Sequence, residues 1–483
     1  MSSALELTEL PTLPAGLDAP RARRPTFDRD NTDKTLWEQR QDDSAKDAVF
    51  SVPNVSVGKL SIEDPSQRQL PVYPPASEIV SERVETLAET TNQRRFRMGA
   101  AFCALFLAGW NGGSTGALIP YIEKAYNITY AHVALLFVAI FLGYVLAAAC
   151  AGPLSRRVGF GNAISIAVVI EIIGNVINAS QQKSFGVMGF GFFVVGIAFA
   201  MQLGFCNAYF NLLPQPLKWT GVLHGIYGLG AFASPLVATA MVTRGVPYHF
   251  FYMTNVGMNV PVLALIWLAF RDLKALPELP GDLTVDVNAG SGIRQLLSNR
   301  AVWTLSIFLM LYVGAEESIG GWIVSYVLED RHGSPENASW VASAFYLGLA
   351  LGRIILPTLN VFMGERNAVF IYLVVAVVLE AIAWAVPILS STAASTALVG
   401  VCISTFYAAA ITMGGRLIPR AMHADAFSLM SSIGQSGSAL FPLLVGIIST
   451  KKGIWVVEPT VVALLGAQGV MWFFVPKVAR RID

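Results

Sequence analysis

Two adjacent acids, Glu316 and Glu317, stand in the middle of an otherwise apolar run, LYVGAEESIGGWIVSYV (Leu311 to Val327). An ionisable side chain at the centre of a bilayer costs roughly 2.5 to 3.5 kcal/mol on insertion scales, so one retained there has a proton to carry, a solute to bind or a partner to hold. Gly320 and Gly321 follow, where a helix is weakened and can expose backbone to a cavity. Adjacent helical residues point about 100° apart, which predicts that only one of the two acids faces such a cavity squarely. Two further acids sit in matching surroundings, Glu171 in VVIEII and Glu380 in VVLEAI. For them a packing role, a Glu kept protonated and a proton carrier all fit the sequence. His224 opens LHGIYGLGAFASPLV (Leu223 to Val237); an imidazole can shuttle protons, although Gly225, Gly228 and Gly230 behind it also read as a helix-contact surface. The proton-coupling candidates are Glu316, Glu317, Glu171 and His224, with a buried packing group as the competing explanation for each.

A second chemistry concerns polar solutes. A sugar site needs amides and hydroxyls in place of water, and an aromatic face against the C–H side of the ring. Asn111, Gln202, Asn207, Asn255, Asn259 and Gln435 supply amides, and Trp322 is the aromatic candidate. Each amide can equally hold two helices together. Arg353, which ends GLALGR (Gly348 to Arg353), fits either a gate ion pair or a side chain reaching for the membrane surface. The chain has no G-x-x-x-x-G-K-[ST] loop, so ATP-driven transport lacks support. No nucleophile–base pair marks an enzyme, no ligand set marks a metal, and no cofactor is expected. Cys103, Cys150, Cys206 and Cys402 all fall in apolar stretches and read as packing residues.

The elements that must position these residues follow from composition. Of 483 residues, 54% are hydrophobic and 13% charged, about half the charge of a soluble domain. Residues 1–93 hold 10 Lys/Arg and 16 Asp/Glu, leaving 23 and 16 for the other 390. A polar, Pro-containing tail, expected to be disordered and cytosolic, thus precedes an apolar body. Acidic Glu6 and Glu9 occupy the place where a signal peptide has its apolar core. The formal net charge of +1 gives no support to nucleic-acid binding. A span needs about 20 apolar residues, and twelve such stretches run from Phe96 to about residue 475, split six and six by the polar break 271–300. The expected organisation is a tail over 1–93, a first bundle over 94–272, a central loop over 273–299, a second bundle over 300–476 and a short tail over 477–483.

Orientation follows from Lys and Arg at the span ends. With the tail inside, the cytosolic ends carry sixteen, Arg156 and Arg157 among them, and the outer ends six. Both termini are therefore expected in the cytosol, and the sequons at Asn127 and Asn337 then fall outside. The halves resemble each other: at an offset of 205, Leu154, Gly159, Asn162 and Ala163 recur as Leu359, Gly364, Asn367 and Ala368, and Gly109, Gly116 and Tyr121 as Gly314, Gly321 and Tyr326. At an offset of 207, Gly230, Pro235 and Leu236 recur as Gly437, Pro442 and Leu443. The fold class is all-α membrane: twelve transmembrane helices in two pseudo-symmetric six-helix bundles with a site between them, the architecture of a secondary transporter.

Three stretches, GWNGGSTGALIPYI (Gly109 to Ile122), Leu223 to Val237 and Leu311 to Val327, resemble the major facilitator superfamily, in particular its fucose-permease-like branch and fungal bypass-of-stop-codon relatives. The resemblance covers about residues 96–476. It implies alternating access and proton-coupled uptake of a monosaccharide, with the lipid bilayer, protons and a small solute as partners and a monomer as the working unit. It also implies that spans three and nine lie toward the outside. Two departures stand out: Gly112 follows Asn111 where such relatives have an Asp, and GPLSRRVG (Gly152 to Gly159) puts Arg156 where the superfamily loop has an Asp. The first shifts the proton-carrying burden to span seven, where Glu316 holds the family-like position. The second leaves gating to Arg156, Arg157 and Arg353 without that carboxylate. Two other functions remain open, proton-coupled export of an amphipathic compound and a non-transporting nutrient receptor signalling through the tail.

Overall fold

The computed structural model describes residues 89–181, 183–276, 295–419 and 422–476. The tail, except its last five residues, most of the central loop and the segment 477–483 lie outside the described residues. No strand occurs among those described. Twelve helices are long and apolar enough to cross a membrane: α1 Thr91–Tyr126, α2 Tyr130–Val158, α3 Phe160–Ala179, α4 Phe185–Phe210, α5 Lys218–Thr243, α6 Phe250–Phe270, α7 Arg300–Glu329, α8 Pro335–Met363, α9 Glu365–Ala385, α10 Leu389–Leu417, α11 Asp425–Lys452 and α12 Ile454–Phe473. α2 breaks at Ala134, and α10 breaks between Ile403 and Phe406. Their outward faces carry exposed apolar side chains such as Val260, Phe362 and Val374, as a hydrocarbon solvent requires.

α1 begins three residues ahead of the expected bundle boundary at 94. Thr90 caps it: its hydroxyl accepts from the Gln93 N–H at 3.2 Å, and its own N–H donates to Gln93 Oε1 at 2.8 Å. This reciprocal pair satisfies two donors that a bare helix start leaves open. Glu89, its side chain 1% exposed, accepts from Arg94 at 3.0 Å, from Arg97 at 2.8 Å and from the Tyr209 hydroxyl at 3.1 Å. Arg97 Nη2 also donates to both carboxylate oxygens of Asp272, at 3.0 Å each. The end of the tail is thereby built into the first bundle, joining α1, α4 and the exit of α6.

The internal sequence repeat has a packing cause. α1 packs on α5 and α7 on α11. In the first pair a methyl group on Gly109 would overlap the Tyr227 carbonyl, and one on Gly230 the Phe106 carbonyl. In the second, Gly437 meets the Met310 carbonyl in the same way, while Gly314 faces the Phe441 ring. Small residues at these crossings let backbones approach, which is how helices associate where lipid removes the hydrophobic drive between them. Gly159 and Gly364, the repeated loop glycines, end α2 and α8 at φ +88° and +78°, a region open to Gly at little cost.

Among the described residues the main crossings that join the halves are α5 on α8, α2 on α11 and α1 on α7, with α1 also touching α8. Because the helices alternate in direction, the start of α1 and the end of α12 share one end of the bundle, called here the terminal end. The opposite end is the far end.

Candidate functional site

The polar cavity lies where α1, α2, α3, α4 and α5 meet α7, α8 and α11. Four predicted residues line it: Asn111, Glu171, Glu316 and Glu317. Both members of the Glu pair reach the lining, contrary to the expectation from their 100° separation. The cavity follows the seam between the halves, so side chains pointing in two directions from α7 can both enter it. They differ in partners. Glu316 Oε1 accepts from Arg353 Nη2 of α8 at 3.0 Å, each side chain less than one-fifth exposed. The Tyr312 hydroxyl joins that pair. Glu317 lies in the electrostatic neighbourhood of Tyr144, Tyr227 and Tyr346, one each from α2, α5 and α8, and of Arg353, without a direct ion pair to it among the described residues.

Glu171 is 2% exposed and points inward from α3, so this helix contributes to the site and not only to the periphery that the resemblance implies. Gln202 Nε2 of α4 donates to its carboxylate at 2.6 Å. The Asn111 and Asn259 amides approach the same carboxylate from α1 and α6. The structure thus gathers four residues chosen separately from the sequence into one cluster with Glu171 at its centre. Only Asn111 and Glu171 of that cluster reach the lining. Gln202 and Asn259 stand behind them, and Asn259 Nδ2 also donates to the Asn255 carbonyl at 3.1 Å. Buried amide atoms without a hydrogen-bond partner among the described residues remain nearby, on Asn111 Nδ2, Gln202 Oε1 and Asn259 Oδ1.

Other candidates lie away from the lining. Trp322 is fully buried, donates its indole N–H to the Pro442 carbonyl at 3.1 Å and packs against Tyr130 and Phe137. It is a wedge between α7, α11 and α2. Asn207, Asn255 and Gln435 are absent from the lining. His224 faces Arg353 from α5. Arg156 and Arg157 are exposed at the terminal end of α2, and neither forms a salt bridge among the described residues. Tyr144, Tyr227, Tyr346, Thr115 and Ser438, all in the lining, were missed from sequence. A tyrosine in an apolar span reads as core; of the five, only Tyr227 and Thr115 fall in the motifs Leu223 to Val237 and Gly109 to Ile122.

The far end is closed. The Tyr130 hydroxyl donates to Glu329, and the Ala131 N–H donates to Thr450 Oγ1 at 2.9 Å, both across the halves. Gly116 of α1 rests on the Gly320 carbonyl of α7, where any side chain would collide.

Two six-helix halves enclosing a polar cavity at their seam, joined by polar contacts at the far end and by the α5–α8 crossing, have the architecture of a membrane carrier. The chain belongs to the Major Facilitator Superfamily, whose sequence model matches residues 101–332 and 309–482. It is 25% identical over 402 residues to Bypass of stop codon protein 6 of Saccharomyces cerevisiae, covering 76% of this chain and 80% of that protein. It is 21% identical over 304 residues to a glucose/galactose transporter of Brucella abortus, covering 60% and 74% respectively. The crystal structure of the E. coli fucose:proton symporter superposes with a TM-score of 0.58 at 15% identity, covering 79% of this chain and 98% of that one. These findings place the chain among the transporters of that superfamily.

Proposed function

We propose that this protein moves a monosaccharide together with protons by alternating access, with both termini on the cytosolic side of its membrane. The observation that carries the reading is one cavity furnished by both halves with amide, hydroxyl and aromatic groups and with three carboxyl side chains. Asn111, Thr115, Tyr144 and Tyr227 come from the first half, and Glu316, Glu317, Tyr346 and Ser438 from the second. Hydroxyls and an amide can replace the hydration of a sugar, and tyrosine rings offer faces to its C–H side. The names of the two sugar-transporting relatives support the solute class.

In this reading a proton competes with Arg353 for Glu316. Protonation releases the guanidinium, which already faces Tyr227 and His224 of α5, so the state of an acid in the second half is passed to the α5–α8 crossing between the halves. Glu171, held by Gln202, positions Asn111 at the lining, and the bond between Tyr130 and Glu329 keeps the far end shut while the terminal end exchanges solute.

The test is uptake of common hexoses into vesicles carrying the purified protein, with and without an acid-outside gradient. Gradient-driven accumulation of a hexose is expected. Absence of gradient-dependent flux for every common sugar overturns the reading in favour of export of an amphipathic compound. Reporter fusions that place residues 1–93 outside the cytosol overturn the orientation.

A further inference from the structure

A second pair of acids is enclosed in the other half, away from the cavity. Glu380 of α9 is 2% exposed, and Glu458 in the first turn of α12 is 1% exposed. Their carboxyl groups lie within hydrogen-bond reach of each other. An ionised carboxylate only accepts, and among the described residues no donor meets either oxygen of Glu458 or Oε2 of Glu380. Arg331, in the turn after α7, is the cation whose charge is felt at Glu458, and its guanidinium is committed elsewhere. It donates to the Ala383 carbonyl at 2.8 Å, the Trp384 carbonyl at 2.9 Å, Asp330 at 2.8 Å and Thr392 Oγ1 at 3.4 Å. The ring of Tyr326 lies beneath that guanidinium, 4.9 Å from it. Its buried hydroxyl has no partner among the described residues and faces both acids.

The charged and titratable groups around the pair are therefore Tyr326, Asp330 and Arg331, all from the end of α7 and the turn that follows. Two ionised carboxylates side by side here would bear both their desolvation and their mutual repulsion, with no bonded cation to offset either. One proton between them removes a charge, supplies the missing donor and turns a repelling contact into a charge-assisted O–H···O⁻ bond, the stronger kind of hydrogen bond. A metal ion is a poorer occupant. Among the described residues no third acid, His or Cys completes a ligand set, and the Arg331 charge stands close by.

We propose that Glu380 and Glu458 form a proton-binding site separate from the transport cavity, in which the two carboxyl groups share one proton and tie α9 to α12. α9 and α12 contribute no residue to the cavity lining. The proton accordingly stays with the pair through the transport cycle, and the site is not part of the route that couples transport to the gradient.

Infrared spectroscopy of the purified full-length protein tests this directly, because a protonated carboxyl group has a C=O stretch that an ionised one lacks. The spectrum of the Glu380→Gln/Glu458→Gln variant subtracted from that of the unmodified protein at neutral pH should show one protonated carboxyl and one carboxylate per chain. A difference with no protonated carboxyl, or with two, overturns the proposal. Gln keeps the shape of Glu and brings its own donor. Should the double variant fail to fold, Glu458→Gln alone carries the comparison: the signal of the remaining Glu380 should shift once its acidic partner is gone, and an unshifted signal overturns the proposal. Vesicle uptake gives an independent readout. Gradient-driven accumulation is expected to survive in the folded variants, and its loss there would put the pair in the coupling route and overturn its separation from the cavity. The spectroscopic result stands or falls whatever the solute is.

Discussion

Arg353 of α8 meets Glu316 of α7 at 3.0 Å, and the same guanidinium faces Tyr227 and His224 of α5 in the other half. The pair thus sits where a change of charge within one half is felt at the crossing between the two. Replacing Arg353 with Met leaves Glu316 without its cation. Because both side chains keep some solvent contact, the expected loss is about 1 to 2 kcal/mol, below that of a fully buried pair. Thermal unfolding in detergent reads it, and Glu316→Gln in the same chain should restore part of it. Strict additivity of the two changes would mean that the contact has no energetic coupling.

Transport separates the two neighbouring acids. Glu316→Gln removes the group for which proton and Arg353 compete, so accumulation driven by a gradient is expected to vanish while exchange of solute across the membrane continues. Glu317→Gln should lower accumulation less, since the direct ion pair with the α8 arginine is made by Glu316. Normal accumulation by the Glu316→Gln protein would leave a uniporter as the simpler mechanism.

Closure of the far end rests on few polar contacts, one of them from Tyr130 to Glu329. Tyr130→Phe removes a hydrogen bond to a charged group, worth about 1.5 kcal/mol or more, and should shift the population toward far-end-open by roughly tenfold. Spin-label distances between the far ends of α2 and α7 measure this. An unchanged distance distribution would show that apolar contacts alone hold the gate.

Gly116 lies against the Gly320 carbonyl. Gly116→Val puts a branched side chain into that contact, so the protein should fold but resist closing at the far end. The expected signature is normal yield with transport reduced at least tenfold. Full activity would mean that α1 and α7 need not meet there during the cycle.

Gln202→Leu withdraws the 2.6 Å donor from Glu171. A buried acceptor losing its partner costs about 1 to 3 kcal/mol, read as a lower unfolding temperature, while Gln202→Asn should fall between. Solute affinity should also drop, because Asn111 shares the Glu171 cluster and lines the cavity.

Much of this protein was legible without coordinates, for reasons that lie in the bilayer. A span has to satisfy its own backbone and present apolar side chains, so helix number and length are written in local composition. Only the ends needed structure: α1 starts at Thr91 because Thr90 and Gln93 cap each other and Glu89 finds Arg94 and Arg97, a reciprocal geometry that composition does not register. The repeated glycines, Gly230 and Gly437, were visible as a pattern, and packing supplied their meaning. The cost of burying charge also made Glu171, Glu316 and Glu317 stand out. What the sequence left undecided is which side chains converge. The 3.6-residue period fixes angles about one helix axis but says nothing about the neighbour it will meet. So Trp322, chosen for its motif, became a wedge against Pro442, while Tyr144, Tyr227 and Tyr346, ordinary aromatics on three different helices, came together around Glu317. Likewise nothing local links Glu380 to Glu458, 78 residues apart along the chain; only the packing of α9 on α12 brings the two acids together and gives them a proton to share.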